Sequence, residues 1–280
     1  MRVVRTGISR DRAMLSEFRR ASAAGGSDIS TRKVIALPSG FVYGQMRPHT
    51  LAGGATVAKW SACPYLAVLK TIDNLATTPT DASEAVQAGL ATAQLALGAL
   101  STFANGDYLL MAASRRYRGV IVDVVAGQVN AVVSVLTAEY WNGSAWVDLS
   151  ATDGTASGGA TFAQDGDITW TMPTAWKKAS AQDILVAGGL PRADTVPTEV
   201  RMEPLFWTRW KVSVALSATV NVASLFAMSE SANDAEARDG QDVELWGAKG
   251  VGGLSAVVAV LDAGTGKLIV NVASPMGGFD

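Results

Sequence analysis

Short segments in which apolar and polar residues alternate dominate the middle of the chain. Tyr108–Met111, Arg118–Val125 and Asn130–Trp141 are rich in β-branched and aromatic residues, and turn residues separate them. The longest alternation is Val212–Val222, with Val, Leu and Ala on one side and mostly Ser, Thr and Asn on the other. This pattern predicts a strand with one buried face and one face in water.

Helical patterns are scarce. Residues 83–100 allow a helix, because apolar residues recur there at three- and four-residue intervals, but they also allow a strand. Gly89 and Gly98 would each cost about 1 kcal/mol inside a helix, so a strand is predicted from about Ala93 onward. The chain is therefore expected to be all-β, with an antiparallel β-sandwich or jelly-roll-like main domain and an irregular N-terminal region.

Changes in composition predict four parts. These are a basic N-terminal arm (1–33), a β-sandwich domain (34–228) with a long Pro/Gly-rich loop (179–204), an acidic linker (229–242) and a C-terminal extension (243–280). In the extension, Leu254–Leu261 and Lys267–Val272 flank a turn and predict a β-hairpin. Since an isolated hairpin is marginally stable, it should pack on the main domain or pair with another chain.

The overall composition limits the chemistry. The 280 residues carry a net charge of −2, which gives no support for nucleic-acid binding by the whole protein. Cys63 and His49 are the only cysteine and histidine, so neither an internal disulfide nor a His pair for a metal can form. No segment has the context of a phosphate-binding loop or nominates a pair of catalytic carboxylates. The sequence therefore predicts no catalytic residue, cofactor or metal site.

Tryptophan is concentrated in one region, since six of the eight lie between residues 141 and 210. Core packing is the first expectation for each of them, because large aromatics fill thin β-sandwiches. Trp207 and Trp210 are three positions apart and should face opposite sides of a strand. One of the two is thus a candidate for an interface or a glycan contact, as is Trp146. Arg209 lies between that pair and is a candidate to stack on an exposed ring.

The segment "EYWNGSAWVDL" (139–149) predicts a β-hairpin. Asn142-Gly143 is a strong turn signal, and the loop has two to four residues. The aromatic residues on either side are expected to pair across the strands and to fasten the hairpin. Tyr140 and Trp141 are adjacent, so they should face opposite sides, and one of them should lie outside the core.

Four of these segments occur in an order that resembles a known module. They are "GDYLLMAASRRYRGVIVDV", "VNAVVSVLTAEYWNGSAWVDLSATDGT", "GGATFAQDGDITWTMPTAW" and "LFWTRWKVSVALSATVNV". Over roughly Ala93–Val222 the chain resembles a β-sandwich module of virion proteins from tailed bacteriophages, with related parts in phage-like gene transfer particles. The resemblance implies a fold and a setting, and it carries no catalytic residues.

The resemblance implies a non-enzymatic virion structural protein. An external head decoration or spike-base component is expected, forming a ring-like homo-oligomer and contacting other virion proteins such as capsid, spike or fibre subunits. The alternatives are a tail, neck or fibre component, or a carbohydrate-binding module that attaches to a host-surface glycan. A hydrolase of surface polysaccharide is a third alternative, for which no acid–base pair stands out.

The segments outside the sandwich are expected to make the contacts within the particle. They are the docking arm with Arg2, Arg5, Arg10 and Arg12, the 179–204 loop and the C-terminal extension. No signal peptide and no apolar run long enough for a membrane helix is found. The protein is therefore expected to be made in the cytoplasm. The resemblance implies a bacterial cytoplasm and a final place in the virion, and no membrane contact or direct nucleic-acid contact is expected.

Overall fold

The computed structural model describes residues 19–20, 25–38, 43–54, 57–72, 79–98, 100, 106–187, 201–231, 234–246 and 253–273. The fold is nearly all β, with several antiparallel sheets. The chain forms two compact units, one of residues 63–232 and one of residues 1–62 together with 233–280. The larger unit is thus inserted between the two segments that build the smaller one.

The strands follow one another in chain order. They are β1 (Arg19–Arg20), β2 (Ser27–Asp28), β3 (Lys33–Ala36), β4 (Tyr43–Ala52), β5 (Ala58–Pro64), β6 (Ala67–Thr71), β7 (Thr80–Asp81), β8 (Leu95–Ala96), β9 (Tyr108–Ala113), β10 (Tyr117–Val124), β11 (Leu136–Trp141), β12 (Trp146–Asp148), β13 (Thr152–Asp153), β14 (Gly166–Thr169), β15 (Lys178–Ala179), β16 (Leu205–Val212), β17 (Asn221–Ser229), β18 (Ala235–Ala237), β19 (Val243–Trp246), β20 (Leu254–Leu261) and β21 (Thr265–Ala273). Short helical segments include a 3₁₀ turn (Ala85–Gln87) and α1 (Ala181–Ala187).

Residues 63–232 form an antiparallel β-sandwich. One sheet has the order β12-β11-β16-β9-β6-β7, with β15 also beside β16, and the other has the order β13-β14-β10-β17-β8. Their inner faces share one core, with Met111 and Tyr140 from the first sheet and Val120 and Leu225 from the second. The chain crosses repeatedly between the sheets, for instance from β9 to β10. The predicted all-β sandwich is confirmed.

The core of this sandwich is organised around Tyr117. Its ring lies 5.5 Å from the ring of Trp170 and 5.2 Å from that of Trp176, measured between centroids. Its hydroxyl is 2.8 Å from the hydroxyl of Thr208, and the Trp170 Nε1 donates to the Tyr117 carbonyl at 3.0 Å. Burial raises the pKa of the Tyr117 phenol far above its usual value. The phenol therefore stays protonated at a pH at which an exposed tyrosine would ionise.

Local pattern predicts several strands well. Tyr108–Met111 and Arg118–Val125 are confirmed, as β9 and β10. The strand predicted from Asn130 begins only at Leu136, because the preceding residues form an irregular segment.

The prediction that Val212–Val222 is one strand is wrong. β16 ends at the first of these residues, β17 begins one residue before the last, and turns lie between them. The chain crosses here from one sheet to the other. The Ser213 Oγ accepts a hydrogen bond from the Val135 N–H at 2.9 Å, and the Ser217 Oγ accepts one from the Ala131 N–H at 3.0 Å. The small polar residues that suggested a water-exposed strand face instead accept hydrogen bonds from a neighbouring loop.

The ambiguous stretch 83–100 contains little helix. A single 3₁₀ turn is followed by β8, which pairs with β17, so the predicted strand from about Ala93 is confirmed in part. Gly98 is required by close backbone approach, since a Cβ at this position would lie 2.3 Å from the Ala218 carbonyl oxygen.

The predicted loop at 179–204 includes a helix. The Ser180 Oγ accepts a hydrogen bond from the Asp183 N–H at 3.1 Å, and the Asp183 carboxylate accepts one from the Ser180 N–H at 3.3 Å. This reciprocal pair is a capping box, and it starts α1. The Ser-x-x-Asp signal is in the sequence, but the Gly and Pro residues that follow obscure it. Residues 188–200 lie outside the described residues.

The smaller unit has two sheets with a shared core. Their orders are β1-β21-β4-β19, with β2 also beside β21, and β18-β5-β20-β3. Met46 and Val270 from the first sheet and Ile35, Trp60 and Val257 from the second belong to the same apolar cluster. β4 and β21, about 220 positions apart in the sequence, pair along most of their length. The two ends of the chain thus supply each other's missing core partners.

This pairing corrects the predicted domain boundaries. Residues 34–62 belong with the C-terminal segment and not with the 63–232 sandwich. The predicted linker at 229–242 contains β18, which pairs with β5. The predicted C-terminal hairpin is also wrong, because β20 pairs with β3 while β21 pairs with β4, in different sheets. The apolar side chains of β20 and β21 meet core partners from the N-terminal strands, and such long-range pairing leaves no local signal.

The predicted basic arm is only partly described. Ile29, in its last third, is fully buried in the core of the smaller unit, so this part of the arm is a structural element. Residues 1–18, which include Arg2, Arg5, Arg10 and Arg12, lie outside the described residues, and the docking role predicted for them stays a prediction.

The boundary between the units predicts that residues 63–232 fold when expressed alone. The core of the sandwich is built entirely from residues within this range. The isolated segment should therefore give a cooperative thermal transition by circular dichroism and dispersed amide signals by NMR. A segment ending at Ser213, which lacks β17, serves as the control and should stay unfolded. A non-cooperative transition of the 63–232 segment would contradict the division.

Candidate functional site

The outer face of the larger sheet carries a cluster of aromatic and charged side chains. Successive residues of a strand face opposite sides, so Arg209 and Lys211 point away from the sandwich core while Trp210 and Val212 point into it. Glu139 on β11 is directly opposite Arg209 on β16 in the antiparallel register. The strands therefore bring one carboxylate and two cations together on this face.

Glu139 pairs with both cations. Its Oε2 accepts hydrogen bonds from Arg209 at 2.6 Å (Nη2) and 2.8 Å (Nε), and its Oε1 lies 2.6 Å from the Lys211 Nζ. The side chains are only 10%, 16% and 15% exposed for Glu139, Arg209 and Lys211, so solvent screens these charges weakly. Charge-assisted bonds of this length hold all three groups in fixed positions.

Two rings enclose the guanidinium of Arg209. Its Cζ lies 4.7 Å from the centre of the Tyr108 ring and 4.8 Å from that of Trp146. Both distances are within the range of cation–π attraction. Trp146 in turn packs edge-on against Trp141, with ring centroids 5.4 Å apart. The cluster thus joins side chains from four neighbouring strands of this sheet, β12, β11, β16 and β9.

The hairpin that holds Trp146 has the predicted aromatic pairing. Trp141 and Trp146 are direct partners in the β11–β12 register. The loop between them has four residues, in which the Asn142 Oδ1 accepts from the Ser144 and Ala145 N–H groups at 2.9 and 2.8 Å, and Gly143 has φ +103°. Tyr140 is buried and Trp141 is half-buried on the other face, so the expectation that one of them lies outside the core is confirmed.

Of the four residues predicted as interface or glycan contacts, two lie in this cluster. Trp146 is half-buried at the surface, and Arg209 stacks on its ring, not on a ring of the flanking Trp207 and Trp210. Trp207 and Trp210, however, are 0% and 1% exposed, so the prediction of a surface platform at either of them is wrong.

The prediction failed because β16 is covered on both faces. Trp210 lies in the core between the two sheets. On the other side, Trp207 is fully buried and its Nε1 donates to the Ala179 carbonyl at 2.8 Å. A segment that the sequence presented as loop therefore packs over the outer tryptophan.

Sequence reasoning missed Glu139, Lys211 and Tyr108. The only signal was the Arg-x-Lys spacing on β16, which places two cations on one face of a strand. Their carboxylate partner lies 70 positions away and becomes identifiable only when the strand register is known.

A second surface feature is a group of exposed valines, here called the valine surface: Val132, Val133, Val135 and Val214. Val133 and Val135 are 67% and 63% exposed. Val135 and Ser213 exchange hydrogen bonds, which places Val135 next to Val214. These residues lie at the ends of β11 and β16 opposite to the hairpin.

The buried side chain of Asn130 fixes the two loops that carry these valines. Its Nδ2 donates to the carbonyls of Val132 and Thr161, each at 2.9 Å. Its Oδ1 accepts from the N–H groups of Val132 at 3.1 Å and Ser217 at 3.0 Å. The valines are therefore exposed on a rigid frame.

Among the described residues, no group of three or more Cys, His, Asp or Glu side chains is arranged to hold a metal ion. Likewise, no helix within the described ranges has the length and apolarity to cross a membrane. Family models, curated proteins and solved structures give no match to this chain.

Replacing Glu139 by Ala is expected to destabilise the larger unit by about 2–4 kcal/mol, because it removes the carboxylate that compensates two mostly buried cations. Urea denaturation followed by tryptophan fluorescence measures this, since six of the eight tryptophans lie in this unit. The matched control is Glu230→Ala, which breaks an exposed pair with Arg116 and should cost less than about 1 kcal/mol. Equal losses for both variants would contradict the role assigned to the cluster.

Proposed function

We propose that this protein is a structural component of a virion or phage-like particle, assembled as a homo-oligomer in an external head decoration or spike base. One observation carries the proposal: the residues that resemble the phage module are framework residues of the sandwich. Tyr117, Trp170 and Trp176 from the quoted segments pack on one another, and Trp210 lies in the same core. Because the distinctive residues of this module pack its core, the module is suited to a structural role.

The charged cluster supports the same proposal. Glu139 is bonded to Arg209 and Lys211, and the Arg209 guanidinium is held between two rings. Groups fixed in this way stiffen the face of the sheet. A stiff face favours association, because little side-chain freedom is lost when a partner binds.

The valine surface is the proposed contact with a second copy of the chain. Its exposed valines sit on loops held by Asn130, so they are preorganised for contact. The net charge of −2 gives little repulsion between copies. The described edge strands of the sandwich, β7, β8, β12 and β13, have at most three residues, which discourages uncontrolled strand pairing. Closed association through a side-chain surface is favoured over open-ended edge pairing.

Multi-angle light scattering of the purified protein tests this assembly. We expect the natural chain to form a discrete oligomer, and the double variant Val133→Asp with Val135→Asp to shift to monomer, because two carboxylates would be desolvated at the contact. The control is Leu90→Asp, which adds a charge at another exposed apolar residue, 52% exposed, and should leave the oligomer intact.

The particle provides the second arm of the test. Purified protein should bind particles that lack it, and labelled protein imaged on those particles distinguishes a head position from a tail or neck position. A strict monomer that also fails to bind such particles would overturn the proposal.

A further inference from the structure

The outer face of the β4–β21 sheet in the smaller unit contains a depression of about 300 Å³. It is lined by Gln45 and Arg47 from β4, Ile269 and Asn271 from β21, and Asp242 just before β19. These residues alternate with buried core residues on the same strands, such as Met46 and Val270. The lining side chains therefore share the face that points away from the core.

Two of the lining side chains are amides with unused hydrogen-bonding groups. Gln45 and Asn271 are direct partners in the register, which brings their Cβ atoms to about 4.5–5.5 Å. Both residues are half-buried, and neither amide side chain has a hydrogen bond within the part of the chain that the structure describes. Each amide offers both donors and an acceptor. A pair of half-buried amides side by side, without partners, is a ready pair of ligand contacts.

The charged residues of the depression neutralise each other. The Arg47 Nε donates to one oxygen of Asp242 at 2.9 Å, and its Nη2 donates to the other at 3.1 Å. This pairing fixes the planar guanidinium and leaves N–H donors of Arg47 and lone pairs of Asp242 available. Because the two charges cancel, the five side chains that line the depression carry no net charge.

Ile269 supplies the apolar part of the depression. It is half-buried and is the direct partner of Arg47 across the ladder, with Asn271 two positions further along β21. The result is a small apolar patch bordered by neutral amides and an ion pair. This is the combination expected for a ligand that has C–H groups on one side and hydroxyls around its edge.

We propose that this depression binds a neutral saccharide, with the hydroxyls on the amides of Gln45 and Asn271 and on the Arg47–Asp242 pair, and a sugar C–H face on Ile269. Hydroxyl groups both donate and accept hydrogen bonds, as the amides do. Two adjacent hydroxyls of a sugar can bond to the two polar atoms at the end of one planar side chain. The volume is at the low end for ligand pockets, which suits the end of a glycan chain. This inference concerns ligand binding by the smaller unit and is independent of the proposed assembly.

A peptide ligand fits these observations less well. The backbone groups of β4 are used on both sides, by β21 and by β19, so an extended peptide cannot add to the sheet at this position. Recognition has to come from side chains alone, and the amides and the ion pair of this depression can form hydrogen bonds with hydroxyl groups.

A glycan array of neutral and acidic oligosaccharides, probed with the full-length protein, tests the proposal. Affinities for the neutral glycans that bind are then measured by calorimetry. Gln45→Ala and Asn271→Ala should each weaken neutral-glycan binding roughly fivefold, and the double variant at least tenfold, as expected for the loss of one or two hydrogen bonds. The control Gln94→Ala removes a half-buried amide from the other unit and should leave affinity unchanged.

Folding of the variants is checked by thermal melting. If the double variant melts early, the near-isosteric changes Gln45→Glu and Asn271→Asp keep the shape and remove the N–H donors, and they should weaken binding similarly. Three results would each overturn the proposal: no glycan binds, only acidic glycans bind, or the variants at Gln45 and Asn271 bind as tightly as the natural chain. Since these variants lie in the smaller unit and the valine variants in the larger one, the outcome is separate from that of the assembly test.

Discussion

Burial of both faces of β16 is the constraint on which the larger unit depends. A strand at the centre of a sandwich sheet normally has one face in the core, but this strand carries one tryptophan on each side. Trp210 faces the second sheet, while Trp207 lies on the opposite face, where it is fully buried and its indole donates to the Ala179 carbonyl. Fixing β16 in this way fixes the neighbours that pair with it, β9, β11 and β15.

The two surface features of this unit follow from the position of β16. Arg209 and Lys211 continue the outer face beyond Trp207, where the carboxylate of Glu139 holds them. At the end of the strand the chain leaves the sheet to cross to β17, and the crossing loop carries Val214 to the surface beside Val135. A rigid charged face and an exposed apolar rim thus belong to the same strand pair, β11 and β16.

The sequence was informative where the structure depends on neighbours close along the chain. The "YWNGSAW" hairpin, β9, β10 and the all-β class all follow from alternation and turn residues within about ten positions. The prediction from the sequence was wrong where residues with a local strand pattern make contacts with residues far away in the chain. The serines of Val212–Val222 have the spacing of a water-exposed strand face, yet they form hydrogen bonds with the loop around residues 131–135.

The candidate site was predictable only in part, for the same reason. Arg209 and Trp146 were each predicted as candidate surface contacts, but their contact with each other depends on the register of three strands. The depression at Gln45 and Asn271 combines residues more than 220 positions apart. No pattern within either segment shows that β4 and β21 pair, because each reads as an ordinary amphipathic strand alone.

The insertion of one unit within the other has a consequence for biosynthesis. β4 is complete in the nascent chain long before β21, and about 210 residues must be translated between them. At translation rates of up to about 20 residues per second this takes roughly ten seconds or more. During this interval the larger unit has all its strands available and can fold, whereas the strands before residue 63 have no C-terminal partners. The smaller unit, with its depression, can therefore form only after every strand of the sandwich has been translated.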